Sequence, residues 1–348
     1  MKKCIAYGII SAMMLALVAC GQPNTTSSSQ SLQSSTVVSS SSDLVQSEQN
    51  QSQPVFRIAG MKGPTGMGIV KLMQDVQQKQ TEKEYEIELY GTAQEILPKM
   101  IQGELDIALI PANVASNLYH QTNGKIQVAA INTLGVLYAV ENGDSIQSIQ
   151  DLKGKTIYST GKNNTPEYVL NHILQSNGIN PDTDVTIEYK SEASEVAAIL
   201  AQQEGIGILP QPYVTAAITQ NPQLKVVLDF TQEWEKVSPE SSLVTGVLVV
   251  NKEFAEKNKQ AFDEFLQEYK ASIQYLQQNP AQGAELVAQF GIVPKTAIAE
   301  KALPQCNVVY MDKQEMKEKL SGYLEVLYNQ NPKSIGESLP NSDFYYGT

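Results

Sequence analysis

Five short segments rich in Gly, Thr, Pro and Asn each follow a predicted strand and precede a predicted helix. They occupy residues 60–66, 90–92, 111–113, 159–166 and 210–212. Free N–H groups at a helix start carry partial positive charge and bind anions or carbonyl oxygens, and glycine lets a ligand approach the backbone. Any one of these turns is also explained by ordinary loop and capping chemistry. Their recurrence in both halves of the chain favours a binding site for a small molecule.

Residues that could perform catalysis are sparse. The chain has two histidines, His120 and His172, each isolated on a predicted helix, which argues against a histidine-rich metal site. No G-x-S-x-G sequence is present, and the G-K-T sequence at residues 154–156 lacks the leading glycine of a phosphate-binding loop. We therefore expect no catalytic group, no metal and no cofactor.

The turns are joined by alternating strand and helix patterns, which are typical of βαβ units and a parallel sheet. A first series predicts strands at residues 55–59, 84–90, 105–110 and 126–131, with helices at 65–79 and 93–102. A second series predicts strands at 156–159, 185–189, 206–209 and 226–228, with helices at 167–176, 194–203 and 212–219. The chain after residue 252 is predicted to be entirely helical, chiefly at 260–278 and 313–328.

The first twenty residues have the pattern of a bacterial secretion signal. Lys2 and Lys3 precede an apolar stretch, residues 5–18, that is shorter than the ~20 residues a membrane span needs. The stretch ends in an L-V-A-C sequence at Cys20 that resembles a lipobox, the site at which bacterial lipoproteins are cleaved and lipidated. We predict a signal peptide at residues 1–19 and a lipidated Cys20. An ordinary signal peptide with an incidental cysteine is the alternative.

The composition further restricts the class of protein. Residues 20–53 are dominated by Ser, Gln, Thr and Asn and are predicted to form a disordered tether. Cys4 is removed with the signal and Cys20 is lipidated, so Cys306 remains alone and no intramolecular disulfide is expected. The net charge of −12, from 37 acidic and 25 basic side chains, argues against nucleic-acid binding.

Particular segments resemble the ABC-transporter substrate-binding proteins of the nitrate, sulfonate, taurine and thiamine-precursor group. These segments are the M-K-G-P-T-G turn at residues 61–66, G-E-L-D-I-A at 103–108, D-L-K-G-K at 151–155 and L-V-T-G-V at 243–247. The resemblance covers nearly all of residues 55–330. It implies an α/β protein with the type II periplasmic-binding fold, in which two Rossmann-like lobes are joined by two crossover segments and the C-terminal helices lie on lobe 1. Lobe 1 would comprise residues 54–138 plus 246–348, and lobe 2 residues 139–245.

The same resemblance places a ligand between the turns of the two lobes. The residues expected to line the cleft from the first lobe are Lys62, Gly63, Pro64, Thr65, Gly66, Thr92, Pro111 and Asn113. Those expected from the second lobe are Thr160, Gly161, Asn163, Thr165 and Gln211. Thr133 and Thr245, near the two crossovers, are expected to form the floor.

The lone arginine bears on the nature of the ligand. Amino-acid-binding proteins of this fold commonly clamp the α-carboxylate with a bidentate arginine. Arg57, the one arginine in this sequence, lies within the first predicted strand and is not expected to reach the cleft. A sulfonate, another oxyanion or a pyrimidine-like heterocycle is therefore favoured over a free amino acid.

The resemblance implies a non-enzymatic role. A lipid-anchored monomer on the extracellular face of the bacterial cytoplasmic membrane would deliver its ligand to an ABC permease with a cytoplasmic ATPase. Two alternatives remain open from the sequence. One is a secreted enzyme of the thiamine-pyrimidine type on the same fold, and the other is a ligand-sensing lipoprotein without a transporter.

Overall fold

The computed structural model describes residues 54–162 and 164–348. Cys20, the predicted signal and tether, and the expected cleft residue Asn163 lie outside the described residues. The strands are β1 (Val55–Met61), β2 (Glu84–Tyr90), β3 (Ile107–Pro111), β4 (Ile126–Leu134), β5 (Leu137–Asn142), β6 (Thr156–Thr160), β7 (Thr186–Lys190), β8 (Gly205–Pro210), β9 (Leu224–Asp229), β10 (Val244–Asn251) and β11 (Val308–Met311).

The helices lie between these strands and after them. They are α1 (Pro64–Met67), α2 (Val70–Gln77), α3 (Ala93–Gln102), α4 (Ala112–Gln121), α5 (Thr165–Ser176), α6 (Ala193–Gln202), α7 (Tyr213–Gln220), α8 (Phe230–Val237), α9 (Lys252–Lys257), α10 (Lys259–Gln278), α11 (Pro280–Gln289), α12 (Thr296–Ala302) and α13 (Lys313–Gln330). None of the helices in the described part of the chain is both long and apolar enough to span a membrane.

The strands form two sheets. One has six strands in the order β11-β4-β10-β3-β1-β2, and the other has five in the order β7-β6-β8-β5-β9. We call the six-stranded sheet with its flanking helices the first lobe, and the five-stranded sheet with its helices the second lobe. The chain passes from β4 to β5 through residues 135–136 and returns between α8 and β10. This α/β arrangement is the type II periplasmic-binding fold expected from the sequence.

Burial explains why the central strands form where they do. In β3 the four residues before Pro111 are buried, and in β10 Val247 to Val250 are all buried. Strands that are covered on both faces by helices have continuous apolar sequences, and β3 and β10 have this pattern. The parallel register places the carboxyl ends of β1, β2 and β3 along one edge of the first sheet, and those of β6, β7 and β8 along one edge of the second.

One prediction about the C-terminal part was wrong. Residues 308–311 form β11, an edge strand antiparallel to β4, because Val308 to Met311 are β-favouring residues that complete the first sheet. The C-terminal helices α10, α11 and α13 pack on the first lobe as expected, and α13 and α12 also contact α5 and α7 of the second lobe.

The helix predicted over residues 65–79 is divided at Gly68. A Cβ atom at this glycine would lie 2.8 Å from Ile273 Cγ1 and 3.0 Å from the Tyr269 hydroxyl of α10. The close approach of α10 requires glycine here, and the segment is divided into α1 and α2 at this point.

Candidate ligand-binding cleft

The polar turns at the carboxyl edges of the two sheets approach each other at Asn113. This residue lies in the first turn of α4 and is buried. Its amide nitrogen donates to Asn164 Oδ1 at 3.5 Å, and its amide oxygen accepts from the Thr165 hydroxyl at 3.4 Å. Asn164 and Thr165 begin α5 in the second lobe. The structure therefore brings together the predicted residues Asn113 and Thr165, and adds Asn164.

The start of α4 has donors available to a ligand. Its N-cap is Pro111, whose side chain accepts no hydrogen bond, and within residues 54–162 and 164–348 no side chain caps this helix. The first-turn N–H groups of a helix without a cap carry much of the positive end of its dipole. Asn113 lies within this turn, so backbone N–H groups and a side-chain amide face the same region.

The predicted floor residue Thr133 is hydrogen-bonded to Asn132, which sequence reasoning did not identify. Asn132 is buried, its amide donates to the Thr65 carbonyl oxygen at 3.3 Å, and its oxygen accepts from the Thr133 hydroxyl at 2.9 Å. Gly246 of β10 lies against both groups, because an added Cβ would be 2.6 Å from Asn132 Oδ1 and 2.7 Å from Thr65 Oγ1. The predicted floor residue Thr245 precedes this glycine and is half-buried.

Glycines shape the main turn on each wall. A Cβ at Gly66 would lie 2.1 Å from the Met61 carbonyl oxygen, so the turn after β1 closes only with glycine at that position. Gly63, which precedes Pro64 at the start of α1, has φ of 132°. In the second lobe Gly161 has φ of 71° and packs against Pro166, after the half-buried Thr160. Positive φ favours glycine at both positions.

Two predicted site residues are engaged in local capping. The Thr92 hydroxyl donates to Glu95 Oε1 at 2.9 Å, and the Thr92 backbone N–H donates to the same oxygen. The Gln211 side chain accepts from the Thr215 hydroxyl at 2.8 Å in the first turn of α7. Local capping therefore accounts for the hydrogen bonds of both side chains. Neither side chain is hydrogen-bonded to Asn113 in the described part of the chain.

The two lysines beside the main turns are exposed. Lys62 projects outward while its backbone N–H donates to the Tyr90 carbonyl oxygen at 2.8 Å. Lys162 is exposed with its ammonium 5.8 Å from the centroid of the Tyr189 ring. Flexible side chains at these positions can add positive potential at the mouth of the cleft without fixing a ligand.

Arg57 is paired within the first sheet. Its guanidinium donates to both carboxylate oxygens of the buried Asp106, at 2.9 and 2.6 Å, and this partner raises the pKa of Arg57. Asp106 precedes β3, so the pair lies at the amino edge of the sheet, opposite the cleft edge.

Replacement of Arg57 by alanine is expected to lower stability while ligand affinity is retained. The change leaves the Asp106 carboxylate buried without its charged partner, which costs about 1–3 kcal/mol in the free energy of unfolding. Urea denaturation and titration of a bound ligand measure the two quantities. Arg57→Lys, which keeps the charge, should lose less stability, and loss of binding with unchanged stability would place Arg57 in the ligand site.

The half-buried His172 contacts the buried Trp234 at the junction of α5, α8 and α13. The rings lie 4.7 Å apart, and the Trp234 ring lies 5.6 Å from Tyr323 of α13. His172 Nε2 pairs with the Ser238 hydroxyl at 2.7 Å, and Trp234 Nε1 donates to Ser241 at 2.8 Å. Burial lowers the pKa of His172 below its ordinary value.

Stability is expected to fall as the pH drops below about 6.5, the ordinary pKa of histidine. The unfolded chain binds a proton at His172 more readily than the folded chain does, so protonation favours unfolding, and the contribution is fully regained above that pH. Thermal denaturation at pH 7.5 and 5.5 measures this effect. The difference in melting temperature between the two pH values should be smaller for His172→Phe than for the wild type. An equal difference in both proteins would show that His172 is not the group responsible.

Two further observations concern metal ligands and the cysteine thiol. Within the described ranges no group of three His, Cys, Asp or Glu side chains could hold a metal ion. Cys306 is buried, and burial raises its pKa to about 12, so the thiol stays protonated and is a poor nucleophile.

Comparison with known proteins identifies the family. Residues 69–302 match the family model described as ABC transporter, phosphonate, periplasmic substrate-binding protein. The match covers well over half of the chain, and the protein belongs to this family of ABC-transporter substrate-binding proteins. The family implies a small-molecule ligand, an ABC permease as partner and an extracytoplasmic location. No curated protein matches the chain at a significant level.

Solved structures share the fold at low sequence identity. An ABC transporter protein from Parabacteroides distasonis is 22% identical with a TM-score of 0.71, and the match covers 84% of this chain and 98% of that one. The periplasmic aliphatic sulphonate binding protein SsuA from Escherichia coli is 16% identical with a TM-score of 0.66, covering 81% and 90%. The alkanesulfonate-binding protein SsuA from Xanthomonas axonopodis pv. citri, bound to MOPS, is 15% identical with a TM-score of 0.60, covering 83% and 96%.

Proposed function

We propose that the protein is a lipid-anchored receptor that captures a small phosphonate or sulfonate in the cleft between its lobes. The observation that carries this proposal is the start of α4, a helix N-terminus without a side-chain cap, which faces Asn164 and Thr165 of the other lobe across Asn113. Amide and hydroxyl donors with a helix dipole suit an oxyanion. The phosphonate family match and the sulfonate-binding proteins of similar fold support the same ligand class.

Binding would be coupled to closure of the lobes. We take the hinges to be residues 135–136 and the segment between α8 and β10, within a few residues of the boundaries expected from the sequence. An anion held by α4 gains further contacts from α5 only when the lobes approach each other, so the ligand favours the closed form. The closed form would then dock on an ABC permease with its cytoplasmic ATPase, while a lipidated Cys20 holds the monomer at the outer face of the membrane.

Native mass spectrometry of the protein, purified without refolding, tests this function together with a thermal-shift screen. The screen contains methylphosphonate, ethanesulfonate, inorganic phosphate and nitrate, with pyrimidines, nucleosides and amino acids as comparison classes. A co-purified or stabilising phosphonate or sulfonate supports the proposal. Stabilisation by a pyrimidine or an amino acid alone would overturn the ligand class, and turnover of a ligand would favour the enzyme alternative.

The lipid anchor and the transporter need separate tests. Intact-mass analysis of protein from its own cells should show a diacylglyceryl group at Cys20, and Cys20→Ala should release the protein from membranes. A ligand-sensing lipoprotein would bind the same anion. If the protein only senses the ligand, deletion of the permease would leave the effect of the protein on ligand uptake unchanged. If the protein is a transport receptor, uptake of the ligand requires that permease.

A further inference from the structure

Two tyrosines of the C-terminal helices have buried hydroxyl groups without partners. Tyr323 of α13 and Tyr269 of α10 are fully buried, and neither hydroxyl has a hydrogen-bond partner in the described part of the chain. A buried hydroxyl without a partner is destabilising, and phenylalanine would fill the same space without that cost. Core packing alone therefore does not explain why these residues are tyrosines.

Tyr323 lies on a helix that packs against helices of both lobes. Burial raises the pKa of its hydroxyl, and the neighbouring Thr165 hydroxyl opposes that rise. Helix α13 contacts both α4 and α5, and Gln330 at its end donates to the Tyr168 carbonyl oxygen of α5 at 2.9 Å. Helix α13 is thereby packed against the helices that carry Asn113 and Thr165.

Tyr269 lies close to the end of α1 in the first lobe. Burial raises the pKa of its hydroxyl, and the Asn132 amide opposes the rise. A Cβ at Gly68, the residue that ends α1, would lie 3.0 Å from this hydroxyl. Asn132 in turn donates to Thr65, which is within α1. Both hydroxyls thus adjoin a polar residue of the cleft.

We propose that Tyr323 is a positioning residue of the ligand site, whose hydroxyl donates to Thr165 when the lobes close, and that Tyr269 has the same role towards Asn132. The 3.4 Å separation between the Thr165 hydroxyl and Asn113 Oδ1 is longer than an optimal hydrogen bond, which leaves this hydroxyl free to turn towards an anion. A hydroxyl that accepts one hydrogen bond donates a stronger one. The inference rests on the proposed oxyanion-binding function.

The test is calorimetric titration of Tyr323→Phe with methylphosphonate, alongside the wild type. We expect the dissociation constant to rise roughly five- to tenfold, the loss of about one hydrogen bond. The melting temperature without ligand should stay the same or rise, whereas loss of a purely structural hydrogen bond would lower it. The same change should have no effect in a Thr165→Val background, and Tyr269→Phe should behave like Tyr323→Phe.

Tyr310→Phe is the matched control. The Tyr310 hydroxyl is also buried and without a partner among the described residues, but its polar neighbour is Asp312, outside the cleft. This variant should bind methylphosphonate with wild-type affinity. Equal affinity of Tyr323→Phe and the wild type would overturn the inference and leave the proposed function intact. Failure of the wild type to bind any phosphonate or sulfonate would overturn the proposed function and the inference with it.

Discussion

Replacement of Asn113 by aspartate is expected to weaken oxyanion binding by roughly 100-fold or more, because a like charge inside a binding site costs several kcal/mol. The new carboxylate would occupy the start of α4 and take the N–H groups that we assign to the ligand. It would also remove the amide donor that reaches Asn164 at 3.5 Å. Because acidic side chains stabilise a helix start, the fold itself should be retained or slightly stabilised.

Asn251→Asp is the control for this change. Asn251 caps α9 by accepting from the backbone N–H groups of Glu253 and Phe254, and aspartate preserves that acceptor. It lies at the end of β10, antiparallel to β3, and so on the edge of the sheet away from the cleft. The control adds the same charge and should bind normally. Equal losses of affinity in both variants would show a general charge effect. Unchanged binding by Asn113→Asp would show that α4 is not part of the site.

Gly246→Ala is expected to weaken binding about tenfold or more and to lower stability by about 1–3 kcal/mol, the usual cost of overpacking. Its methyl group would come within 2.6 Å of Asn132 Oδ1 and 2.7 Å of Thr65 Oγ1, so both residues must move. The hydrogen bond from Asn132 to the Thr65 carbonyl oxygen holds the turn after β1. Movement of Asn132 and Thr65 would displace the donor groups that we assign to the ligand.

Gly207→Ala separates the two effects. A Cβ there would lie 2.7 Å from both Leu200 Cδ1 and Val196 Cγ1, in the apolar packing of the second lobe. Gly207→Ala should lower the free energy of unfolding at 25 °C by a similar amount, without loss of ligand affinity. Titration calorimetry and urea denaturation of the two variants measure both quantities. If affinity falls equally in both, the loss follows from stability alone and Gly246 has no special part in the floor.

The sequence predicts elements best where local signals mark both ends. Strand β2 and helix α3 have the predicted bounds, because Thr92 begins the helix and Gly103, in the left-handed region, ends it. Strand β11 was missed because it has four residues and forms only by pairing with β4, which is distant in sequence. The break at Gly68 likewise depends on α10, some 200 residues further along the chain.

The side-chain contacts of the candidate site were predicted less completely than the fold. Turn composition pointed to Asn113 and Thr165, which the structure brings together. The same composition pointed to Thr92 and Gln211, whose side chains cap their own helices. Asn132 was missed because it directly follows the predicted strand 126–131, and only its distant partners Thr65 and Gly246 give it a role. An asparagine directly after a predicted apolar strand was the signal available.

The most direct test of the account is isothermal titration calorimetry of the purified protein with methylphosphonate and with ethanesulfonate, repeated with Asn113→Asp. We predict one-to-one binding of at least one of these anions to the wild type, with a negative heat-capacity change as the lobes close and bury apolar surface. Asn113→Asp should show no measurable binding of that anion. Absence of binding to the wild type, or equal binding by the two proteins, would contradict an oxyanion site at the start of α4.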